Sequence, residues 1–544
     1  MRNNSSFVRK VVYVCIMALL MVPLSYLSAP STRAANGETN AGGLLAQIRN
    51  EYGLAQSDLG EIDPTSESMK LATLGMRGVA ANVLWTKANH YKKTEDWDNL
   101  RATLNQITKL QPNFVSVWIF QGWNLAFNVS VEFDDYRSRY HWVKKGVDFL
   151  IEGTQYNRDN PRLLKELGWS FQQKIGRSDE KAQFRELFRN DEDFHGELQD
   201  YVSMDDSLGP DNKPDNWLVA GQWYRKAQNA VDRLDAVLKG ESPLVFNSHA
   251  PMTDIRYSEA IEQDGYLDEK AQIAWEKARQ AWYAFGDRDI PHTRGFQIRL
   301  NNGERAKEAM AEARQQLDQL LPGLREQIFN ERFGKLSAEE KSVYERYNSD
   351  SGNLSEAEYR MKDEIDRKLE ITHAEVADRA PPEKLGDARR ALVKLLEAEN
   401  MEQAIRHYRQ TVNFEYWRRR CEAEKTDNAI NARRYLFEAE RAFTDADLEK
   451  AKQAYEKSWD EWAAVFEQFP ALMDDITASD LLDSIVRYRD LLKQVDEPFP
   501  PPGFKLQRLI DLHQSEFEQL TAEYAPAERQ PEAAPQGTST DEPQ

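Results

Sequence analysis

The chain has 544 residues, of which 40% are hydrophobic, 30% charged and 10% aromatic. Its length exceeds the roughly 150 residues of an average domain, so several domains or a repeat array are expected. The composition is too apolar for a disordered chain, and 26 Gly and 22 Pro are too few for a turn-rich β protein, which favours a mostly helical one. The 71 basic and 91 acidic residues give a formal net charge of −20, and because this charge repels a phosphate backbone we expect no nucleic-acid partner.

A hydrophobic segment preceded by basic residues lies at the start of the chain. Arg2, Arg9 and Lys10 precede an uncharged run, Val11–Ala29, whose 19 residues fall between the core of a signal peptide and the ~20 residues needed to cross a bilayer. Because basic residues favour the cytoplasmic side, the rest of the chain is expected to be exported. Residues 1–35 are therefore predicted to be an uncleaved signal anchor in the membrane or a cleaved signal peptide that leaves a periplasmic protein.

The sequence after this segment changes character several times. Helical periodicity dominates it, except where Phe296, Ile298 and Leu300 alternate with polar residues as in a strand. The predicted segments are a linker (36–70), helix-turn-helix repeats (71–190), a helical region with an acidic insertion and a small β-hairpin (191–302), long charged helices (303–390), C-terminal repeat-like helices (391–495), a Pro-rich turn with a final helix (496–524) and a disordered tail (525–544).

Three units in the segment 71–190 show the spacing of a helix-turn-helix repeat of about 34 residues. The positions that carry the pattern are Leu84, Ala88, Tyr91, Leu100, Leu104 and Ile107 in the first unit, Val117, Trp118, Gly122 and Leu125 in the second, and Leu163, Leu167, Gly168 and Phe171 in the third. Trp118 and Gly122 lie four residues apart, so a large and a small side chain are expected to meet at one helix crossing. The helix that pairs with the third unit is expected to open near Ala182.

A later unit, residues 432–470, gives the best single match to the same spacing. Its positions are Tyr435, Ala439, Ala442 and Phe443 on the first helix, Asp445–Asp447 in the turn, and Ala451, Tyr455 and Ser458 on the second helix. A weaker copy is predicted before it, at Leu392, Ala404, Tyr408 and Thr411.

With these small residues, the Leu167-Gly168 pair and the prolines between units, the chain resembles the tetratricopeptide repeat family. The resemblance implies an all-α fold of stacked helix pairs, an α-solenoid, to which the long charged helices and the hairpin are additions. It also implies a scaffold for protein–protein interaction, because such stacks present an extended concave surface. Together with the export segment, it predicts a non-enzymatic protein of the bacterial cell envelope that binds a protein or peptide partner.

The sequence contains no HExxH, Walker A or GxGxxG motif and no paired cysteines, so no metal, cofactor or catalytic residue is predicted. The alternative hypothesis is an exported all-helical enzyme that acts on cell-wall glycan through carboxylates such as Glu132 and Asp135. Paired carboxylates of this kind must lie about 5–9 Å apart in a pocket.

Two further groups of polar residues are considered for binding. Tyr91 and Asn124 occupy first-helix positions and are expected to be exposed on the partner-binding surface. The aspartates of the acidic insertion could supply oxygen ligands to calcium, but they lack the spacing of a calcium loop and are interpreted as a solvated loop; they are Asp205, Asp206, Asp211 and Asp215.

Overall fold

A computed structural model of the chain describes residues 77–234, 238, 240–349 and 355–523, together with a few isolated positions before residue 50. The protein is mostly helical, as the composition predicts. Its contacts divide it into two compact units, unit 1 up to Tyr266 and unit 2 from Leu267 onward. The apolar run Val11–Ala29 and the tail 525–544 lie outside the described residues, apart from Leu19. Within the described ranges, none of the helices combines the length and the apolar character needed to cross a bilayer.

Unit 1 is built mainly from helices. They are α1 (Arg77–Lys93), α2 (Trp97–Leu110), α3 (Val115–Trp123), α4 (Tyr136–Tyr156), α5 (Pro161–Ser170), α6 (Lys181–Arg189), α7 (Glu192–Leu198), α8 (Asn216–Leu234) and α9 (Pro243–Gln263). Two helices continue as π-helical segments, α3 into Asn124–Val129 and α5 into Phe171–Ile175. Two short strands, β1 (Thr32–Arg33) and β2 (Thr39–Asn40), pair antiparallel before α1.

Helices α1 and α2 form the first predicted helix pair. The Asp96 side chain caps α2 by accepting a hydrogen bond from the Asn99 backbone N–H at 3.2 Å, so the turn ends there. Leu100, Leu104 and Ile107 face inward and are fully buried, as their helical spacing predicts.

The crossing of α3 and α4 depends on glycine. A Cβ atom added to Gly122 would lie 2.6 Å from Leu150 Cγ, and one added to Gly146 would lie 2.6 Å from the Gly122 carbonyl oxygen. Trp118 covers Gly153, where a Cβ atom would lie 2.9 Å from the indole. The predicted meeting of large and small residues on α3 is therefore confirmed.

The prediction for the third unit is confirmed in part, because α6 begins at Lys181, next to Ala182, but the main partner of α5 is a different helix. Helix α5 packs mainly against α8, whereas α6 packs on the π-helical continuation of α5, where the Phe171 and Phe188 rings meet. Gly168 allows the approach of α8, since a Cβ atom there would lie 3.0 Å from the Tyr224 ring and 3.1 Å from the Ala220 carbonyl oxygen. Ala182 is exposed, and α6 packs through Phe184 and Phe188 instead. Helix α8 has 19 residues and therefore covers more of α5 than the nine residues of α6 can.

Unit 2 begins with α10 (Glu269–Gly286) and a small hairpin. The hairpin strands β3 (Ile290–Pro291) and β4 (Gln297–Ile298) pair antiparallel in the register Ile290 to Ile298 and Pro291 to Gln297. Both isoleucines are fully buried. The hairpin predicted between residues 286 and 302 is thus confirmed.

The rest of unit 2 is helical. Its helices are α11 (Gly303–Leu320), α12 (Leu324–Gly334), α13 (Ala338–Ser349), α14 (Glu356–Leu369), α15 (His373–Asp378), α16 (Leu385–Thr411), α17 (Phe414–Glu424), α18 (Asp427–Thr444), α19 (Leu448–Gln468), α20 (Ile476–Gln494), α21 (Gln507–Leu512) and α22 (Gln514–Glu523). The pair α18 and α19 confirms the late unit, with Ala439 and Ala451 both fully buried. The weaker copy is wrong, because Leu392 and Thr411 both lie in the uninterrupted helix α16.

Candidate functional site

Tyr91, the first predicted binding residue, is only half exposed. It lies on α1 and packs against the apolar cluster that includes Ala88 and Leu104. The Lys87 ammonium lies 5.6 Å from the centre of its ring. Part of the phenol therefore belongs to the core of the first helix pair.

Asn124, the second predicted binding residue, is not exposed. It is fully buried, and its side-chain oxygen accepts a hydrogen bond from Asn128 Nδ2 at 2.8 Å. The expectation of exposure fails because α3 packs against α2, α4 and α5 and so has no broad solvent-facing side. Asn124 cannot contact a partner directly in this conformation.

The carboxylates considered for catalysis do not form a pocket. Glu132, Asp134 and Asp135 are all exposed, and Asp135 caps α4 by accepting a hydrogen bond from the Ser138 backbone N–H at 3.1 Å. In the acidic insertion, Asp205 and Asp206 are exposed, as a solvated loop predicts. The interpretation is wrong for Asp215, which is fully buried because it forms ion pairs with Arg185 and Arg189.

A cleft of about 510 Å³ in unit 1 brings together side chains from α4, α5, α8 and the loop after α7. Its floor is apolar and its rim is basic, and the lining residues that define these two parts are Leu164, Trp223 and Ala230 in the floor and Arg158, Lys226 and Arg233 at the rim. We call it the α8 cleft.

The floor of the α8 cleft is fixed by packing on both sides. Leu164 and Ala230 are buried, and the Trp223 indole is almost completely covered. The Tyr201 ring stacks beside the indole, with the ring centres 6.3 Å apart, and Gln155 Nε2 donates to the Tyr201 hydroxyl at 3.1 Å. No described residue accepts a hydrogen bond from the buried Trp223 Nε1–H. The floor is therefore apolar, and the Trp223 Nε1–H within it is buried without an acceptor among the described residues.

The turn from α4 to α5 places Arg158 at the rim. Asn157 closes α4, because its Nδ2 donates to the Pro112 and Gly153 carbonyl oxygens at 2.8 and 3.0 Å. Asp159 then adopts a left-handed backbone conformation, with φ at 55°, which aspartate tolerates better than most residues. The Arg158 and Asp159 side chains are consequently directed into solvent beside the cleft.

The electrostatics of the rim favour an anionic ligand. Arg158, Lys226 and Arg233 supply three positive charges, and Asp159 supplies the one negative charge among the lining side chains. The Lys226 ammonium lies 5.3 Å from the centre of the Trp223 indole and donates to the Tyr201 carbonyl oxygen. Partial burial lowers the pKa of Lys226, and the nearby Asp159 charge opposes this shift.

The α8 cleft can bind a ligand that combines an apolar group with a negative charge beside it. An apolar floor buries a side chain or other apolar group of a ligand, while the basic rim pairs with carboxylates beside it. Tryptophan, tyrosine and arginine are also the residues that most often dominate binding energies at interfaces. Among the described residues, no group of three or more His, Cys, Asp or Glu side chains could hold a metal ion.

Sequence reasoning did not find this cleft. The one sequence feature that relates to the cleft is the helical pattern after Trp217, which places Trp223 and Ala230 seven residues apart on one helix face. Thr154, Tyr201 and Arg233 come from distant parts of the chain, and their meeting depends on the pairing of α5 with α8. Comparison with protein-family models and with curated proteins gives no match to this chain.

Proposed function

We propose that the protein is a non-enzymatic binding protein whose unit 1 holds a protein or peptide partner at the α8 cleft. The observation that carries this proposal is the combination of the buried Trp223 floor with the basic rim of Arg158, Lys226 and Arg233. The partner that fits is a segment with one apolar side chain flanked by aspartate or glutamate.

The helix pairs support the same proposal. Pairs such as α1 with α2 and α18 with α19 meet at buried small residues, including Ala88 and Ala451, as tetratricopeptide repeats do. We propose that each unit by itself contains an α-solenoid-like array of such pairs, and that in unit 1 the surface of this array extends the contact beyond the cleft. Tyr91, which is partly exposed on α1, is a second contact in this proposal.

We further propose that the protein is exported and faces the cell envelope, either anchored or released by cleavage. The basis is the basic and apolar sequence at Arg2, Arg9, Lys10 and Val11–Ala29. A phosphatase reporter fused after residue 60 is expected to be active, and a reporter that is active only in the cytoplasm would contradict export. The glycan-hydrolase alternative has no supporting geometry, because Glu132 and Asp135 are exposed and belong to no cleft described above.

The test uses a displayed library of random peptides with the full chain as bait. Selected peptides are expected to carry an aromatic or aliphatic residue next to Asp or Glu. The variant Arg158→Glu/Arg233→Glu should weaken their binding by about 5- to 30-fold, because two exposed ion pairs are worth up to ~1 kcal/mol each.

The matched control is Lys109→Glu, which reverses one exposed charge on α2 outside the cleft. It should leave peptide affinity within about twofold of the parent protein, since Lys109 does not line the cleft and a single exposed charge contributes little. Selected peptides without acidic residues, or equal affinity in the parent and the double variant, would contradict the proposal.

A further inference from the structure

A second cleft in unit 1 differs from the α8 cleft in being largely polar. It has a volume of about 720 Å³ and lies among α6, α9 and the loop that leads into α8. Its lining contains four acidic side chains and six basic ones, Arg177, Lys181, Arg185, Arg189, Lys213 and Arg256. The chain as a whole has the opposite balance, with 71 basic and 91 acidic residues. We call it the α6 cleft.

Two aspartates fix one wall of the α6 cleft. Asp215 is fully buried, and its Oδ2 accepts hydrogen bonds from Arg185 Nη2 at 3.3 Å and Arg189 Nη2 at 3.2 Å. Asp264 Oδ2 accepts from the same two nitrogens at 2.9 and 2.5 Å. The other oxygen of Asp215 accepts from the Trp217 backbone N–H at 2.8 Å. One carboxylate thus positions both guanidinium groups and the start of α8.

Three buried N–H donors on this wall have no acceptor among the described residues. They are Arg185 Nε, Arg189 Nε and Trp217 Nε1, and all three side chains line the cleft. Trp217 is only 4% exposed. Its ring is held in place by Gly176, where a Cβ atom would lie 2.6 Å from Trp217 Cζ2. A buried donor without an acceptor costs about 1–3 kcal/mol, so this wall is favourable for a ligand that supplies acceptors.

The mouth of the cleft adds positive charge. Arg177 and Lys181 are exposed, and no described carboxylate forms an ion pair with either of them. The charges of Arg185 and Arg189, in contrast, are balanced by Asp215 and Asp264. The wall therefore contributes oriented N–H donors, while the mouth contributes the net attraction.

We propose that the α6 cleft binds an oxyanion, the phosphate or carboxylate group of a small-molecule ligand. Such a group offers several acceptor oxygens, and guanidinium N–H groups match its geometry. A cation does not suit the cleft, because the carboxylates of the wall already accept hydrogen bonds from the arginines. The α6 cleft shares no lining residue with the α8 cleft, so this site does not depend on the proposed partner-binding function.

The test follows the Trp217 indole N–H in the full chain labelled with ¹⁵N-tryptophan. The Trp217→Phe variant assigns the signal, because that signal is missing from its spectrum. Titration with inorganic phosphate and, separately, with citrate is expected to move the Trp217 signal downfield and to saturate, since the indole gains an acceptor. A shift with phosphate alone identifies a phosphate site, and a shift with citrate alone identifies a carboxylate site.

The variant Arg177→Gln/Lys181→Gln keeps the buried wall intact and removes the charges at the mouth. It is expected to weaken oxyanion binding by about 2- to 30-fold, from two exposed charge interactions of up to ~1 kcal/mol each. Lys109→Gln is the control and should leave the affinity unchanged. The proposal is overturned if neither anion gives a saturable shift, if sodium chloride of equal ionic strength gives the same shift, or if the double variant binds as tightly as the parent.

Discussion

The variant Gly146→Ala tests the packing of α3 against α4. Its new Cβ atom would lie 2.6 Å from the Gly122 carbonyl oxygen, 3.0 Å from Ala126 Cβ and 3.1 Å from the Ala126 backbone nitrogen. Carbon atoms in favourable contact lie about 3.5–4.0 Å apart, so the helices must separate by several tenths of an ångström. Two of the three neighbours are backbone atoms, which cannot rotate out of the way as a side chain can.

Two opposing effects determine the size of the change. Alanine is a better helix former than glycine by about 1 kcal/mol, which stabilises α4. Overpacking of a rigid contact typically costs about 1–3 kcal/mol and occasionally more, and here we expect about 2–4 kcal/mol because the obstacle is backbone. We expect a net loss of roughly 1–3 kcal/mol in the stability of the α3 and α4 pair.

Hydrogen exchange of the full chain, measured by mass spectrometry, is the suitable assay because it reports local stability in a protein with two units. The loss corresponds to exchange about 5- to 150-fold faster in peptides from α3 and α4. Gly196→Ala on α7 is the control, since no heavy atom lies within 4 Å of its added Cβ. This control should slow local exchange by up to about fivefold, through helix propensity alone. Unchanged or slower exchange in α3 and α4 of Gly146→Ala would refute the packing argument.

Two further substitutions test other parts of the fold. Ala451→Trp should destabilise the α18 and α19 pair by about 1–3 kcal/mol, because Ala451 is fully buried and leaves no volume for an indole; an unchanged denaturant midpoint for unit 2 would contradict its placement at the crossing. Burial, and after it the Glu197 charge, raise the pKa of Asp148 to about 6, so the folded protein favours the neutral carboxyl group. The stability that this neutral form contributes is complete below about pH 4 and is lost as the pH rises through about 6. Asp148→Asn should therefore raise the Tm more at about pH 7.5 than at about pH 5, and an equal rise at both would show that the carboxyl does not titrate in this range.

The helix pairs could be predicted because the signals that define them are local. Helical spacing placed Leu100, Leu104 and Ile107 on one face, and the small residues Ala439 and Ala451 marked a crossing. Alternation of Ile298 with polar neighbours likewise located the hairpin strand β4. In each case the residues that make the contact lie within about one repeat of each other, so the sequence pattern and the packing coincide.

The predictions from sequence are wrong where a helix is covered on several sides or pairs with a helix that is distant in the chain. Asn124 looked like a surface residue because its side chain is polar, but α3 is enclosed by α2, α4 and α5. Helix α5 packs mainly against α8, whose Tyr224 and Ala220 contact Gly168, although α6 is closer in sequence. Leu392 and Thr411 fitted a repeat although no turn interrupts α16. A repeat pattern fixes which face of a helix is apolar, but it does not fix which helix covers that face.

The two clefts also show why net charge is a poor guide to ligands here. A formal charge of −20 suggests that the protein repels anions, yet both clefts of unit 1 carry more basic than acidic lining residues. The net charge acts on an anion at long range, whereas the lining residues act on it at short range. At about 0.01 M salt the Debye length is ~30 Å and the whole acidic chain acts on an approaching anion, whereas at 0.1 M it is ~10 Å and the nearby cations dominate. Rising salt therefore screens the repulsion by distant acidic residues before it screens the attraction by Arg158 or Lys181. The rate of anion association should increase as salt is raised from about 0.01 to 0.1 M, whereas with a purely basic surface the rate would decrease.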